Sequence, residues 1–462
     1  MREKIKELLE KGILLTVGPE DAMTIHAEKS TAPLLHTADK KERTVPQGIE
    51  IIKSYAEKST KKTIADFITT YNSRYLLIQS MLIQRRELDQ AMSIRKCKIS
   101  QEGEQIFFIA MVLEKNITHN NNVMLVLEDQ TGSTKAVVTK NSQAYEAAKD
   151  LSVDEVVGVG GAVGKGIVFV NTLIQPDVPT TNETKKSPLD EAAVFISDIH
   201  IGSEVFLKKE FERFISWIRG DTTHPTQKEL VSKIKYLFII GDLVEGIGIF
   251  PGQEKELLIE DIYKQYAVFT EYIKKIPNHI KIIICPGNHD PVRIAEPQPT
   301  IPEELIPDLV SRENIVLVSS PSIVRISQTD KFKGIEVLLY HGFSFPYYAS
   351  SIDSLRLGGG LEATENILEF LLKRRHLAPA HGSTQYQLGY EEDPLVISTI
   401  PDIIATGHVH RAAAKNYKGV TLLNCSCWIS QTKYQERRGI HPQPGKAFYI
   451  DLKTRKTTMI NF

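Results

Sequence analysis

The spacing of apolar and polar residues changes several times along the chain, and each change marks an element. Residues 1 to about 27 start as amphipathic helix, with Ile5, Leu8 and Leu9 on one face. From residue 28 to 48 the composition turns to Lys, Thr, Ala, Pro and Asp, apolar periodicity fades, and a linker is predicted. Residues 49–92 return to helix, with Ile64, Phe67, Ile68, Tyr71, Tyr75, Leu76, Ile78, Leu82 and Ile83 at helical spacing. The period then falls to two. Strands are predicted over 105–114, 123–128, 134–138, 155–159 and 166–174, with Gly160, Gly161 and Gly164 separating the last two. Five short strands with a helical patch (144–149) between the third and fourth is the order of an OB barrel, placed at residues 93–178. Phe107, Phe108 and Phe169 are read as barrel core. That leaves few aromatics for stacking bases, so a structural or partner-binding barrel is expected. A polar linker follows (179–188). From 189 to 462 strands alternate with helices, predicting an α/β domain.

Composition adds bounds rather than identity. A chain of 462 residues implies two or three cores. Acids (57) and bases (56) nearly cancel, so the total charge is neutral on a nucleic-acid partner, which a local basic groove would serve. Cys97, Cys285, Cys425 and Cys427 form no CxxC and read as small core residues in a reducing cytosol. No signal peptide or bilayer-length apolar run is visible, so a cytoplasmic protein without membrane contact is expected.

Candidate chemistry lies at the ends of the apolar runs in the last domain. Val194-Phe195-Ile196 leads into Asp198-x-His200, and the next run leads into Gly241-Asp242. Three more end in Gly287-Asn288-His289-Asp290, in His341-Gly342 and in Gly407-His408-Val409-His410. A buried strand favours apolar residues, so carboxylates and imidazoles at its end need a reason. Hard oxygen mixed with borderline nitrogen suits Mn, Fe, Ni or Zn. In α/β folds ligands gather beyond the carboxyl ends of strands, where five clusters can converge. One histidine alone reads as a hydrogen-bonded core residue; five clusters in order do not.

This ordered set is similar to that of the calcineurin-like metallophosphoesterases. The resemblance implies a β-sandwich flanked by helices and two divalent metal ions, manganese first among Mn, Fe and Zn. It places Asp198, His200 and His410 on one metal, Asn288, His341 and His408 on the other, and Asp242 between them. It places His289 at the phosphate as a non-ligand histidine, donating a proton to the leaving oxygen or stabilising charge. Asp242 and His289 are thus the expected catalytic pair. Either Glu245 or Asp290 could orient His289.

Further residues narrow the resemblance. They are Pro291-Val292-Arg293 with Ala295-Glu296-Pro297-Gln298-Pro299, residues 371–379, Pro401-Asp402-Ile403, Gln431-Thr432, Gln435, and Pro442-Gln443-Pro444-Gly445. From about residue 50 onward the chain resembles the small subunits of archaeal family D DNA polymerases, which are related to the B subunits of eukaryotic replicative polymerases. The resemblance implies a 3′→5′ proofreading exonuclease that releases 5′-nucleotides and bridges to a large catalytic polymerase subunit. It implies single-stranded or primer–template DNA as substrate, with a sliding clamp or other replication factors as further partners. The eukaryotic relatives generally lack the ligands and serve as scaffolds, whereas this chain keeps every one. Arg293, Arg411 and Arg375 are the expected strand contacts, drawn from a wider set with Lys373, Arg374, Arg437 and Arg438. Tyr347 and Tyr348 are candidates for base stacking or partner contact. The alternatives are a scaffold subunit without nuclease activity and a stand-alone metallophosphatase.

Overall fold

The computed structural model describes residues 45–56, 61–437 and 439–462. The predicted helices at 1–27, most of the 28–48 linker, and Arg438 lie outside the described residues.

The first described element departs from the helical reading of 49–92. β1 (Ile49–Lys53) is a strand, and the helix of that segment runs Ile64–Leu82, started by a capping box between Thr63 and Asp66. Five strands follow: β2 (Gln105–Ile117), β3 (Val123–Asp129), β4 (Gly132–Val138), β5 (Val156–Val163) and β6 (Val168–Ile174). They close into a barrel of order β2-β3-β4-β6-β5, with the short helix Tyr145–Lys149 between β4 and β5. Phe108, Val112, Leu125, Leu127, Val159 and Val170 fill its core. Gly160 and Gly161 do not break the strand; they sit inside β5 at a bulge. A Cβ on Gly161 would meet the backbone of Phe169, and one on Gly160 the ring of Phe107. Phe169 is 49% exposed, so it is not core, and Phe107 packs outside the barrel with the Ile64–Leu82 helix.

The remaining strands are β7 (Ala192–Ile196), β8 (Ile234–Ile240), β9 (Lys281–Cys285), β10 (Ile315–Leu317), β11 (Ser322–Ile326), β12 (Ile335–Leu339), β13 (Ile403–Thr406), β14 (Ala413–Tyr417), β15 (Val420–Asn424), β16 (Lys446–Asp451) and β17 (Thr457–Asn461). Together with β1 they form two six-stranded sheets, β10-β9-β8-β7-β16-β17 and β1-β11-β12-β13-β15-β14. The near-continuous apolar runs follow from burial on both faces. Phe195, Phe238 and Ile283 point into the core between the sheets, with Val324, Val337 and Ile403. Val194, Leu237 and Ile284 point the other way, under the helices Lys208–Ile218 and Ile262–Lys274. Phe211, Phe214, Ile215 and Ile218 recur at helical spacing to meet that face. The second sheet is covered by Phe345–Ser351 and Thr364–Arg374.

Barrel and sandwich are joined by buried ions. Arg374 Nε lies 2.5 Å from Glu155 Oε2. Arg74 donates to Asp393 (2.7 Å), Pro379 O (2.6 Å) and Asp154 O (3.4 Å), linking the helix, a barrel loop and the sandwich. The 179–188 segment runs along the sandwich, where Asn182 donates to Lys418 O and Ser187 bonds Ser327. Among the described residues no helix is long and apolar enough to cross a membrane.

Candidate metal centre

The parallel pairs β7/β8, β8/β9 and β12/β13 run in register to nearly the same level: Ile196 lies opposite Ile239, Ile240 opposite Cys285, and Leu339 opposite Ala405. Past these ends stand Asp198 and His200, Asp242, Asn288 and His289, His341, and then His408 and His410. Three clusters come from one sheet and two from the other, so the site straddles the seam of the sandwich.

The loops carrying them are strained. Asp198 (φ 53°), His200 (54°), Asp242 (49°), His408 (71°) and His410 (56°) all occupy the left-handed region. Each such residue costs about 1–3 kcal/mol and persists only where its surroundings fix it. Those surroundings are visible. Ile199 and His200 donate their backbone N–H groups to Asp242 O (2.8 and 3.0 Å), and His408 N donates to both Asp198 oxygens (3.1 and 3.0 Å). His289 N donates to Asp242 Oδ1 at 2.8 Å. A Cβ on Gly407 would collide with Ser197 Oγ and Asp198 Oδ2, so this position needs glycine for space rather than for its φ.

These bonds leave defined atoms facing inward. Asp198 Oδ2 is taken by Ser197 Oγ (2.5 Å), which turns Oδ1 toward His410 Nε2 (3.4 Å) and His200 Nε2 (3.8 Å). His341 donates Nδ1–H to Ile240 O (3.0 Å), so its Nε2 faces Asp242 Oδ2 and Asn288 Oδ1, both at 3.2 Å. Asp242 Oδ2 also lies 3.7 Å from His200 Nε2. Donors sharing one ion at about 2.1 Å stand roughly 3–3.5 Å apart, so the 3.2 and 3.4 Å separations fit the edges of coordination shells, while His200 Nε2 stands slightly wider at 3.7 and 3.8 Å. Asp198, His200 and His410 form one compact donor group, and Asp242, His341 and His408 another. Asn288 adds an oxygen to the second, and Asp242 reaches both.

Charge in the site is shared between its carboxylates and its imidazoles. Burial pushes the Asp242 carboxyl up, but His341 and His289 beside it outweigh burial and hold it well below the usual range. Burial likewise opposes ionisation of Asp198, and hydrogen bonds from His200 and His410 lower it. Burial and the neighbouring His341 push His408 down to about 3, leaving it a neutral donor. His341 goes the other way: burial lowers it, but Asp242 raises it to about 9.

His289 is oriented by neither expected carboxylate. His289 Nδ1 bonds the backbone oxygen of Glu245 at 2.8 Å, while Glu245 Oε1 is 3.9 Å away. The Glu245 carboxylate instead meets His200 Nδ1, with Oε2 at 3.0 Å. Asp290 accepts from Gly287 N, Leu243 N and Tyr266 Oη, and burial with Asp242 nearby raises it to about 7. Gln253, buried and without a motif around it, donates to Glu245 O at 3.0 Å. Nothing in the sequence pattern marks it.

Of the expected strand contacts, only Arg411 flanks the cleft. Arg375 is buried and donates to Ile397 O and Ser398 O, so it is a structural side chain. Arg374 is buried against Glu155, and Lys373 pairs with Glu369. Arg293 donates to Pro297 O and Tyr390 Oη, tying down its own loop. Tyr348 is fully buried with its hydroxyl on Ser383, which excludes it from stacking; Tyr347 stays half-buried. The donors open into a cavity of about 330 Å³ whose other walls include Phe250, Pro346, Leu361, Ile429 and Ile440.

Comparison with known proteins agrees with this constellation. A family model described as calcineurin-like phosphoesterase matches residues 193–412. The DNA polymerase II small subunit of Methanothermobacter thermautotrophicus is 40% identical over 399 residues, covering 86% of this chain and 80% of that protein. That of Archaeoglobus fulgidus is 36% identical over 402 residues (86% and 77%), and that of Halobacterium salinarum 32% over 449 residues (96% and 84%). With four fifths of a relative spanned at such identity, and a phosphoesterase domain bearing the donors at its seam, the chain belongs to the family of archaeal DNA polymerase II small subunits.

Proposed function

We propose that the chain is the metal-dependent 3′→5′ exonuclease subunit of a two-subunit replicative DNA polymerase. The observation that carries this reading is the pair of neighbouring donor groups, with Asp242 in one and 3.7 Å from His200 of the other. Asp198, His200 and His410 would hold one divalent ion, and Asn288, His341 and His408 the other. Manganese suits the mixed nitrogen and oxygen donors, with iron and zinc as alternatives. A divalent pair supplies Lewis acidity for a phosphodiester and lowers the pKa of bound water.

The chain's own groups do the rest. Asp242 keeps the two cation positions together and offsets their repulsion. The Glu245 carbonyl on Nδ1 turns His289 Nε2 toward the cavity, where it meets a phosphate oxygen or the departing 3′-oxygen. The apolar walls limit water around the reacting ester.

In this reading the barrel is an OB barrel that serves assembly, and the protein bridges to a large catalytic subunit. Exposed apolar side chains on the Ile64–Leu82 helix, Ile64 (81%) and Ile68 (57%) among them, support a covered surface in the assembled enzyme. The test is single-turnover digestion of 5′-labelled single-stranded DNA with manganese, alone and with the large subunit. Stepwise shortening from the 3′ end, lost in Asp242→Ala and His289→Ala, is expected. Intact DNA under both conditions would leave only the assembly role.

A further inference from the structure

Beyond the donors the cleft has a direction. Pro346, Leu361, Val409 and Ile440 line the cavity that holds the donors and also line a second depression of about 360 Å³. That depression carries Arg411, Arg356 and His441, with one carboxylate, Glu362. The order along the cleft is therefore metal donors, then an apolar stretch, then two arginines beside Glu362. Arg411 is placed to act. It follows the donor His410 directly, and its Nη1 donates to His441 O at 2.7 Å. Its buried Nε has no hydrogen-bond partner among the described residues. Arg356 is exposed and held by Asp353 at 2.7 Å.

A polynucleotide repeats the same order, phosphate, nucleoside, phosphate. The terminal nucleoside of a 3′ end has no phosphate on its far side; the nucleoside on the leaving-group side of the scissile bond does. We propose that the apolar stretch is the subsite for the nucleoside immediately 5′ of the scissile bond, and that Arg411 holds the phosphate one step upstream. The assignment rests on the nuclease reading. The two depressions share four wall residues, so a phosphate at Arg411 lies one apolar stretch away from one at the donors. Pro346, Leu361, Val409 and Ile440 have no side-chain hydrogen-bonding group, so they bind a nucleoside by contact area without reading the base edge. The smallest good substrate is then a dinucleotide with a 5′-phosphate.

The experiment compares thymidylyl-(3′→5′)-thymidine with and without a 5′-phosphate, on the full chain with manganese. A charge-assisted contact to the extra phosphate predicts a kcat/KM higher by about ten- to a hundredfold for the phosphorylated dinucleotide. In Arg411→Ala that ratio falls toward one, whatever the absolute rates, and Arg411→Lys recovers part of it. Equal rates for the two dinucleotides in the wild type would overturn the subsite while leaving the nuclease reading intact. If neither is cut by the chain alone, the assay is repeated with the large subunit; intact dinucleotides there too end the nuclease reading, and equilibrium binding of the same pair with calcium decides whether Arg411 holds the upstream phosphate. An Arg411-dependent preference for the phosphorylated form supports it, and equal affinities overturn it.

Discussion

Replacing Arg374 with methionine tests whether barrel and sandwich behave as one body. Arg374 Nε and Glu155 Oε2 are 2.5 Å apart, with side chains 4% and 3% exposed. The same guanidinium donates to Asp150 O (2.7 Å) and stacks over Phe370. Methionine keeps most of the stem's packing and removes the charge, stranding a buried carboxylate. Breaking a buried pair from one side costs about 3–5 kcal/mol. The pH dependence follows from the stranded group. Burial already lifts the Glu155 carboxyl above its ordinary range, and Arg374 pulls it back. Without Arg374 its folded pKa rises further above the unfolded value. A carboxyl raised in the folded state loses stability as pH climbs past the unfolded pKa, so the deficit is full at pH 8 and shrinks toward pH 5. Hydrogen exchange of the β2–β6 amides at the two pH values, corrected for intrinsic rates, reads the local opening free energy. Glu155→Leu in the Arg374→Met background should recover most of the loss. A deficit under about 1 kcal/mol, or one equal at pH 5 and pH 8, would refute the reasoning by placing the pair among solvent-screened ones.

Three further outcomes are expected. Glu245→Ala, which removes the carboxylate from His200 Nδ1, should weaken metal affinity by about 10–100-fold in a manganese titration, with Glu245→Gln intermediate; unchanged affinity in both would separate Glu245 from the site. Gly407→Ala should displace Ser197 and Asp198, costing about 1–3 kcal/mol in a urea melt and lowering metal stoichiometry; a full metal complement would contradict the crowding. Burial, and then Arg74, hold His376 down at about 4, so the unfolded chain takes up its proton first as pH falls. Stability should therefore decline from pH 6.5 to 4, by at most about 3 kcal/mol from this group, and His376→Gln should flatten that part of the profile; parallel profiles for the two proteins would rule the group out.

The sequence reading did best where residues break the local rule. Asp198, His200, Asp242, His341, His408 and His410 stand out because a buried strand end disfavours them, and the structure brings all six together with Asn288. The barrel was legible from its period-two runs, though its inner and outer faces were not. Phe107 and Phe169 alternate with buried Ile106, Phe108, Val168 and Val170 and so face outward, over Gly160 and Gly164 respectively. β1 was hidden because a five-residue edge strand, Ile49–Lys53, has too few positions for its period to show, and its partner β11 lies far along the chain. The arginines were misread for a related reason. Arg374 and Arg375 look alike in sequence, and only tertiary packing buries one against Glu155 and the other against backbone carbonyls. Glu245 shows the limit most clearly. Its place three residues after Asp242 marked it as a partner for His289, and the structure gives that task to its carbonyl and its carboxylate to His200.

The position of the site at the seam explains why its loops can remain strained. Five left-handed non-glycine residues would together cost several kcal/mol, more than a mobile loop could hold. Here each strained turn is bonded to the next cluster rather than to its own strand. Ile199 and His200 depend on Asp242, His289 on Asp242, and His408 on Asp198. Asp242 and His341 come from opposite sheets, as do Asp198 and His410, so packing between the sheets sets the donor separations within each group. That packing consists of Phe195, Phe238, Ile240, Val337 and Leu339, large side chains in a dense interior that resists small displacements. The donor geometry is therefore a property of the sandwich core. On the proposed nuclease function, the surface residues around it, Arg411 foremost, would be left to set which strand enters and how far it must extend.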